Sequence, residues 1–357
     1  TGRAAKRLSE TTGEEAKTIH RLLEMERTEA ENQRFNRNSR NPLDENAVII
    51  DEASMVDLSL MSSLMRALRR GTRLVLIGDS DQLPSVGAGN VLYDVIASGA
   101  VETVYLTEIF RQAQDSLIVT NAHNINAGIT PVLNVTDNDF FFVKREEVNI
   151  ASTVAELIMR RLPRAYGEYI REGIQVITPS KKGAGGVEAL NKELQARMNP
   201  PDERKKEKTA HGSIFREGDR VMQITNNYEL EWQKNGVTGY GIFNGDIGKI
   251  LSINHKEGCM TVRFEDRTLE YPFDNLDELE LAYAITVHKS QGSEYPVVII
   301  PMYYCAPMLM TRNLLYTAVT RARKMVVLVG RPDIPAKMVA NNREVLRYTT
   351  LASRLAN

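Results

Sequence analysis

Two short apolar runs near the start of the chain each lead into acidic residues. Residues 48–50 precede Asp51 and Glu52, and residues 74–77 lie just before Asp79. Runs of this length that are rich in Val, Ile and Leu predict buried strands of a parallel sheet. Because ligands bind at the carboxyl ends of the strands in open α/β sheets, these carboxylates are expected to meet in one crevice. Adjacent carboxylates there suit a divalent metal ion with a water molecule to be activated beside it.

Helix-like and strand-like segments alternate along most of the chain. Helices are predicted over 58–69, 116–127, 150–161, 187–198 and 312–322, and strands over 101–106, 140–143, 175–179, 297–300 and 325–330. Residues 209–275 differ, because short β-like pieces alternate there with Gly and Asn, which predicts a small inserted barrel. The Asn, Ser and Pro residues of 34–43 predict a short hairpin that projects from the first domain. The pattern therefore predicts an α/β protein whose second domain carries a small β-barrel.

Composition narrows the class of protein. A chain of 357 residues can form two or three domains with proper cores. The net charge of −1 excludes a globally basic nucleic-acid binder but permits a local basic groove. Cys259 and Cys305 are too few for a disulfide framework or a zinc site, which favours a reducing, cytoplasmic location. No apolar run approaches the length of a membrane span, so no membrane partner is predicted.

A phosphate-binding loop is missing from the sequence. The pattern Gly-x-x-x-x-Gly-Lys-Ser/Thr, whose amides and lysine hold nucleotide phosphates, does not occur in the chain. The nearest stretch, residues 245–250, has the wrong spacing and the wrong last residue. The chain also opens on Thr1 rather than Met. We therefore expect a fragment whose first strand, phosphate loop and following helix lie upstream.

Five ordered segments carry a resemblance to a known family. They are DEAS at 51–54, GD at 78–79 with QLP at 82–84, FRQ at 110–112, TVHKSQGSE at 286–294 and LYTAVTRAR at 315–323. Together they resemble motifs II to VI of superfamily 1 helicases. In detail the chain resembles RecD-like helicases, the alpha subunit of exodeoxyribonuclease V and its free-standing relatives. Any one segment is weak evidence, but the ordered set covers nearly the whole chain.

The resemblance implies a division into domains. Two RecA-like motor domains are expected, the first incomplete at its N-terminus and occupying residues 1–112. The second comprises residues 113–208 and 276–357. Residues 209–275 are similar to the Src-homology-type barrel of the family, and the hairpin near 34–43 resembles its strand-separating pin.

The same resemblance implies an activity. The parent protein is expected to be an ATP-dependent DNA helicase that uses ATP and Mg²⁺ and moves 5′ to 3′ on single-stranded DNA. Duplex junctions and nuclease or helicase subunits are the implied partners, and repair and recombination the implied setting. Without its phosphate loop, the chain alone is predicted to be inactive as an ATPase.

The resemblance also assigns roles in the nucleotide site. Asp51 would hold the metal ion, and Glu52 would polarise the attacking water. Gln82 would sense the terminal phosphate. Arg111 and Arg321 would be catalytic arginines that face the domain cleft. Gly292 and Glu294 would line the nucleotide site. Ordinary structural roles stay open, because Asp is a common helix cap and a lone arginine often forms a surface ion pair.

Small hydroxyl, amide and basic side chains are the candidates for contacts with DNA. Single-strand binding combines positive charge along the backbone with stacking surfaces. The candidates are Arg3, Thr18, His20, Asn90, Thr286, His288, Lys289 and Ser290. Each histidine also fits a packed, hydrogen-bonded structural role.

Two other functions stay open at this point. One is a DNA-binding module that works without nucleotide, either a natural truncation or a dead paralogue, although the intact Glu52, Gln82, Arg111 and Arg321 argue against a long-term loss of catalysis. The other is the helicase portion of a conjugative relaxase, which shares much of this set of motifs.

Overall fold

The structure is a computed structural model that describes residues 2–26, 34–106, 115–342, 347 and 349–356. The chain divides into two compact units. The first unit is Thr1–Phe110 together with Arg343–Asn357, and the second is Arg111–Asn342. The predicted α/β class is confirmed, since each unit holds a parallel sheet with helices.

A two-stranded parallel sheet lies at the centre of the first unit. Ala47–Ile50 pairs with Arg73–Leu76 in a register that sets Ile50 beside Leu76. The helices of this unit are Gly2–Thr12, Ile19–Leu22, Leu58–Ala67, Val91–Ser98 and Leu351–Ala356, and a short 3₁₀ turn spans Ala53–Met55. One face of the sheet packs into a core with Leu23, Leu43, Met61, Leu64, Val91 and Leu92.

The two strands of the first unit are buried on one face only. Val48 and Ile50 are each 6% exposed, whereas Ile49 is 58% and Val75 39% exposed. The sequence predicted strands that are buried as in a parallel sheet with both faces covered. Among the described residues, the second face lacks such a cover, which is the physical reason for the difference.

Two short strands before this sheet form an antiparallel pair, and the first of them begins earlier in the chain than the hairpin predicted at 34–43. Met25–Glu26 pairs with Arg34–Phe35, and the residues that connect them lie outside the described ranges. The predicted hairpin at 34–43 contains instead a tight turn closed by a bridge between Asn38 and Asn41. Side-chain amides stabilise this turn, because Asn38 Nδ2 donates to the carbonyl oxygens of Phe35 and Asn36 at 3.1 and 3.0 Å.

The second unit contains a parallel sheet of five strands. Their order is Ala284–Thr286, Ile174–Thr178, Tyr295–Met302, Ala322–Gly330 and Phe140–Lys144. All five residues of Ile174–Thr178 are buried, as expected for a strand that has neighbours on both sides and helices on both faces. The helices are Leu117–Asn126, Ile150–Glu156, Leu162–Tyr166, Val187–Met198, Val287–Ser290, Arg312–Val319 and Asp333–Ala340.

The chain between Ile174–Thr178 and Ala284–Thr286 contains a seven-stranded antiparallel sheet. Its order is Val237–Ile242, Asn227–Lys234, Arg267–Pro272, Cys259–Phe264, Ile247–Asn254, Arg220–Gln223 and Leu279–Leu281. A separate hairpin, Glu207–Ala210 with Ser213–Arg216, precedes it. The insertion is therefore strongly β, as its sequence predicted, and its last strand lies beyond residue 275.

Buried polar groups tie this antiparallel sheet together and to its neighbours. Asp219 is fully buried, and its carboxylate accepts hydrogen bonds from Asn199 Nδ2 at 2.7 Å and from Tyr283 Oη at 2.8 Å. Arg267 and Asp246 form an ion pair at 2.8 Å with both side chains almost completely buried. Asp246 Oδ2 also accepts from the Phe243 amide at 3.0 Å, so this pair holds the turn at 243–246.

Two further expectations from the sequence differ from the structure. The predicted strand over 101–106 is absent, and Val104 and Leu106 are 81% and 97% exposed. Its apolar residues have no neighbouring strand in the described sheet of two. Residues 276–357 were predicted to belong to the second domain, whereas the helix Leu351–Ala356 among them packs on Val91–Ser98 in the first unit. The domain boundaries otherwise stay predictions.

Within the described ranges, every helix is too short or too polar to cross a membrane.

The buried ion pair predicts a large and local loss of stability. Asp246→Ala leaves the Arg267 guanidinium buried without its carboxylate, so the free energy of unfolding should fall by about 3–5 kcal/mol. Trp232 is the only tryptophan, and its ring centroid lies 5.9 Å from Arg267 Cζ, so its fluorescence reports on this site during urea unfolding.

Asp266 offers a matched control for this measurement. It pairs with Lys234 at the surface, and an exposed pair contributes about 0–1 kcal/mol. An Asp246→Ala variant that unfolds at the same urea concentration as Asp266→Ala would contradict the structural role of the buried pair.

Candidate functional site

The two strands of the first unit deliver their acidic ends to the same edge of the sheet. Pairing continues beyond the strands, since the Ile77 amide donates to the Ile50 carbonyl at 2.8 Å. The chain then turns, and the Ala53 amide donates to the Ile77 carbonyl at 2.9 Å. These bonds place the segment at 51–54 beside the segment at 77–79, as the sequence predicted.

Gly78 permits the closest part of this approach. A Cβ atom at this position would lie 3.0 Å from the Ala53 amide nitrogen and 3.1 Å from that of Ser54. Real Cβ atoms rarely come this close to backbone, so a larger residue would push the two segments apart. The glycine is therefore required by backbone proximity at the site, and its φ is not in the left-handed region.

Asp51 and Glu52 occupy a sharp turn at the end of the first strand. Asp51 is exposed, and its Oδ1 accepts the Glu52 amide at 2.8 Å. Glu52 is half-buried and adopts φ +53° and ψ +40°, a left-handed conformation that costs free energy for a residue with a Cβ. Strained residues of this kind concentrate at functional sites, which is consistent with a chemical role for Glu52.

Asp79 and Gln82 are joined in the turn that follows the second strand. The Gln82 side-chain amide donates to Asp79 Oδ2 at 3.2 Å, while Asp79 Oδ1 accepts the Asp81 amide at 3.0 Å. Both side chains are half-buried. Asp79 therefore orients the Gln82 amide beside the strand ends.

The carboxylates fit a magnesium ion that is shared with a phosphate group. In the ranges that the structure describes, no set of three His, Cys, Asp or Glu side chains could hold a metal ion. Mg²⁺ in nucleotide sites commonly takes one or two carboxylates and completes its shell with water and phosphate oxygens. Exposed Asp51 at a strand end matches that kind of ligand, whereas a site made wholly of protein ligands does not fit.

The DNA candidates of the first unit fall into three structural situations. Thr18 caps the helix Ile19–Leu22, and its Oγ1 accepts the Arg21 amide at 3.3 Å. Asn90 begins the helix Val91–Ser98 without a capping bond from its side chain. The His20 ring lies 6.0 Å from the Phe35 ring. The Arg3 side chain lies outside the described side chains.

The pKa of His20 reflects its surroundings. Desolvation lowers the pKa of the imidazole below 6.5, and the negative charge of Asp57 acts in the opposite direction. The folded protein thus favours neutral His20 at pH 7. Because the unfolded chain binds this proton more tightly, acidification below pH 6.5 removes stability from the folded state.

The second unit arranges its candidates around the short helix Val287–Ser290. Thr286 caps this helix, and its Oγ1 accepts the Lys289 amide at 3.3 Å. His288 keeps an exposed surface, although partial burial lowers its pKa. Ser290 is fully buried and donates to the Val287 carbonyl at 2.7 Å, so its hydroxyl faces the protein.

Lys289 makes contacts that its sequence did not suggest. Its Nζ donates to the Ile224 carbonyl at 3.2 Å and to Asn244 Oδ1 at 3.0 Å. Desolvation lowers the pKa of this ammonium group, which the nearby Glu280 carboxylate opposes. Lys289 thus joins the helix to two loops of the antiparallel sheet.

The nucleotide-site candidates of the second unit form a compact turn. Gly292 adopts φ +70°, and Glu294 pairs with Arg323 at 2.6 Å. Arg321 is 5% exposed and donates from Nε to the Thr317 carbonyl at 3.2 Å and from Nη1 to the Ser293 carbonyl at 3.4 Å. Arg321 is thus held by backbone carbonyls next to this turn. Arg111 lies outside the described residues.

Known protein families match three parts of the chain. Residues 1–142 match the AAA domain family, and residues 190–264 match the SH3 domain of ATP-dependent RecD-like DNA helicases. Residues 281–329 match the UvrD-like helicase C-terminal domain. The three matches follow the order of the first unit, the antiparallel insertion and the last strands of the parallel sheet.

Curated relatives extend the similarity over nearly the whole chain. The ATP-dependent RecD2 DNA helicase of Deinococcus radiodurans is 37% identical over 99% of this chain and 45% of its own length. The RecBCD enzyme subunit RecD of Mycobacterium tuberculosis is 30% identical over 99% of this chain and 63% of its own length. The chain thus spans less than two thirds of the length of each of these two relatives.

Solved structures of Pif1 helicases share the fold. One, with two coordinating Pif1 helicases at forked double-stranded DNA, has a TM-score of 0.52 at 22% identity and covers 92% of this chain and 79% of that one. The Bacteroides Pif1 helicase in complex with ADP-AlF3 and single-stranded DNA has a TM-score of 0.51 at 22% identity, over 92% of this chain and 81% of that one.

The environment of His20 leads to a direct test by NMR. The imidazole should titrate with a pKa below 6.5, and Asp57→Asn should lower that pKa further, because the variant removes an attractive charge but keeps a capping side chain. His20→Gln identifies the resonance among the five histidines. A pKa that rises in Asp57→Asn would refute this account of the site.

Proposed function

We propose that this chain, which belongs to the RecD-like family of superfamily 1 helicases, supplies most of the ATP-hydrolysing and DNA-contacting groups of an ATP-dependent DNA helicase. The observation that carries the proposal is the convergence of Asp51, Glu52 and Asp79 at one sheet edge, where Gly78 brings two backbone segments together. Because the chain spans only part of its relatives, the activity of the whole protein is part of this proposal.

The first unit supplies groups for the chemistry of phosphate transfer. Asp51 would hold Mg²⁺, which when bound neutralises charge on the nucleotide phosphates. Glu52 orients and polarises the attacking water, and its strained backbone fixes the direction of its side chain. Gln82, oriented by Asp79, is placed to respond to the presence of the terminal phosphate.

The second unit supplies the proposed arginine and the turn beside it. Arg321 is the catalytic arginine of this proposal, together with Arg111. Its contacts to Ser293 and Thr320 are long, at 3.4 Å each, so they are weak enough to be exchanged for a phosphate oxygen. Gly292 and Glu294 line the same turn, and the ion pair of Glu294 with Arg323 holds it.

The DNA-contacting groups come from both units in this proposal. Thr18, His20 and Asn90 serve in the first unit, and Thr286, His288 and Lys289 in the second, with Arg3 and Ser290 in supporting positions. Single-stranded DNA is the proposed track, with movement 5′ to 3′ and action at duplex junctions. The antiparallel sheet is the proposed small barrel, and the proposed location is the cytoplasm.

A nucleotide-independent DNA-binding module is the second candidate. These 357 residues contain no Gly-x-x-x-x-Gly-Lys-Ser/Thr segment, which would supply the amide and lysine ligands of nucleotide phosphates. The retained Glu52, Gln82 and Arg321 favour the helicase instead, since a module without nucleotide has no use for them together.

The missing phosphate loop predicts that the 357-residue chain alone does not hydrolyse ATP. Loss of the loop amides, the lysine and the metal-binding hydroxyl removes most of the stabilisation of the transferred phosphoryl group. Phosphate release with Mg²⁺ and ATP should therefore stay at the buffer rate, with or without oligo-dT. Hydrolysis that requires Mg²⁺ and purifies with the chain would contradict this prediction.

DNA binding by the chain should depend on His288. His288 lies on the capped helix Val287–Ser290 and keeps part of its surface exposed, and loss of one hydrogen bond or partial stack weakens binding about five- to tenfold. We expect this change in the Kd for fluorescent oligo-dT on His288→Ala, measured by anisotropy at fixed salt. His255→Ala, at an exposed histidine that packs on Phe273, is the matched control and should bind like the unaltered chain. Equal affinities of both variants would remove His288 from the DNA site.

A further inference from the structure

Arg347 binds a loop of the first unit through an unusual set of acceptors. Its Nη1 donates to the carbonyls of Gly87 and Gly89 at 2.5 and 2.6 Å and to Ser85 Oγ at 3.1 Å. Its Nη2 donates to the Ser85 carbonyl at 2.5 Å. One guanidinium therefore gathers four oxygen atoms of a single short loop, and in the described part of the chain none of its partners is a carboxylate.

The loop has a shape that needs such a donor. Gly87 packs so closely that a Cβ there would lie 2.1 Å from Asp57 Oδ2, and Gly89 adopts φ +90° against Leu58. Three backbone carbonyls converge on the Arg347 guanidinium, and their partial negative charges repel each other. The Ser85 hydroxyl lies 3.2 and 3.4 Å from two of them, but its single proton can serve only one at a time. A guanidinium suits this arrangement because its planar fork presents several donors and a charge that is always present.

The loop connects the two halves of the proposed site in the first unit. It begins just after Gln82, the proposed phosphate sensor, and ends at Asn90, a proposed DNA contact. The helix that follows Arg347, Leu351–Ala356, packs on Val91–Ser98, the helix that Asn90 begins. The C-terminal segment therefore holds both the loop and the element that follows it.

We propose that Arg347 is a positioning residue that holds the loop at 85–89 so that Asn90 is presented to single-stranded DNA. The proposal concerns the shape of the loop first, and its DNA part rests on the proposed function. Arg347 acts through the loop carbonyls and does not contact the nucleotide or DNA itself. Its effect is thus distinct from that of a phosphate-binding arginine.

Hydrogen exchange measures the shape of the loop without any ligand. In Arg347→Ala, the amide of Leu58, which donates to the Ala88 carbonyl of the loop at 2.9 Å, should exchange about tenfold faster or more, because the loop that supplies its acceptor is no longer held. The amides of residues 62–67, which lie deeper in the helix Leu58–Ala67, should keep their rates, which shows that the unit remains folded. Arg347→Lys retains the charge but not the planar fork of donors, so its exchange rate should lie between those of the unaltered chain and Arg347→Ala.

Arg354 provides the matched control on the same C-terminal segment. It is exposed, and its substitution removes the same charge without touching the loop. Arg354→Ala should exchange like the unaltered chain. Unchanged exchange of the Leu58 amide in Arg347→Ala would overturn the proposal, as would equal acceleration in both alanine variants.

The DNA part is tested with the same variants. Oligo-dT should bind Arg347→Ala about five- to tenfold more weakly than Arg354→Ala, and Asn90→Ala should add little further weakening to Arg347→Ala. Full additivity of the two substitutions would overturn the link between Arg347 and Asn90. If the unaltered chain binds no oligo-dT, the proposed function fails, while the exchange experiment still decides the bracing role of Arg347.

Discussion

The close backbone contact between Gly78 and the segment Ala53–Ser54 is the constraint on which the candidate site depends. It lets two strand ends and the turns after them occupy one edge of a small parallel sheet. A side chain at residue 78 would separate the carboxylates of Asp51 and Asp79, whatever their chemistry. The strained conformation of Glu52 follows from the same tight turn, and it directs the one carboxylate that the proposed reaction uses on water.

In the second unit, a β-rich insertion is attached to a parallel sheet. Buried polar groups make this attachment, with Asp219 joined to Asn199 and Tyr283, and Lys289 joined to Ile224 and Asn244. Such groups are costly unless all their hydrogen bonds are made, so they favour one arrangement of the loops. The helix that carries Lys289 is thereby linked to the turn that Asp246 and Arg267 hold.

Local chemistry explains which features the sequence could predict. Apolar runs that end in Asp51 and Asp79 identify strands and their carboxyl ends, because that pattern depends on neighbours along the chain. The strand predicted over 101–106 is wrong, since its exposed apolar residues pair with no strand in the part of the chain that the structure describes. The contacts of Arg321, Lys289 and Arg347 also escaped prediction. Most of their partners are backbone carbonyl groups, many of them far away in sequence, and a backbone carbonyl leaves no signature in the residue type.

The role of Glu52 is the most direct test of the account. We would measure DNA-stimulated ATP hydrolysis by a longer protein that contains this chain and a phosphate loop, with Glu52→Gln beside Glu45→Gln at a nearby exposed position. The account predicts that Glu52→Gln lowers kcat about 10²-fold or more while ATP still binds, and that Glu45→Gln has no effect. Equal rates for both variants would contradict the assignment of Glu52 and, with it, the proposed hydrolytic site.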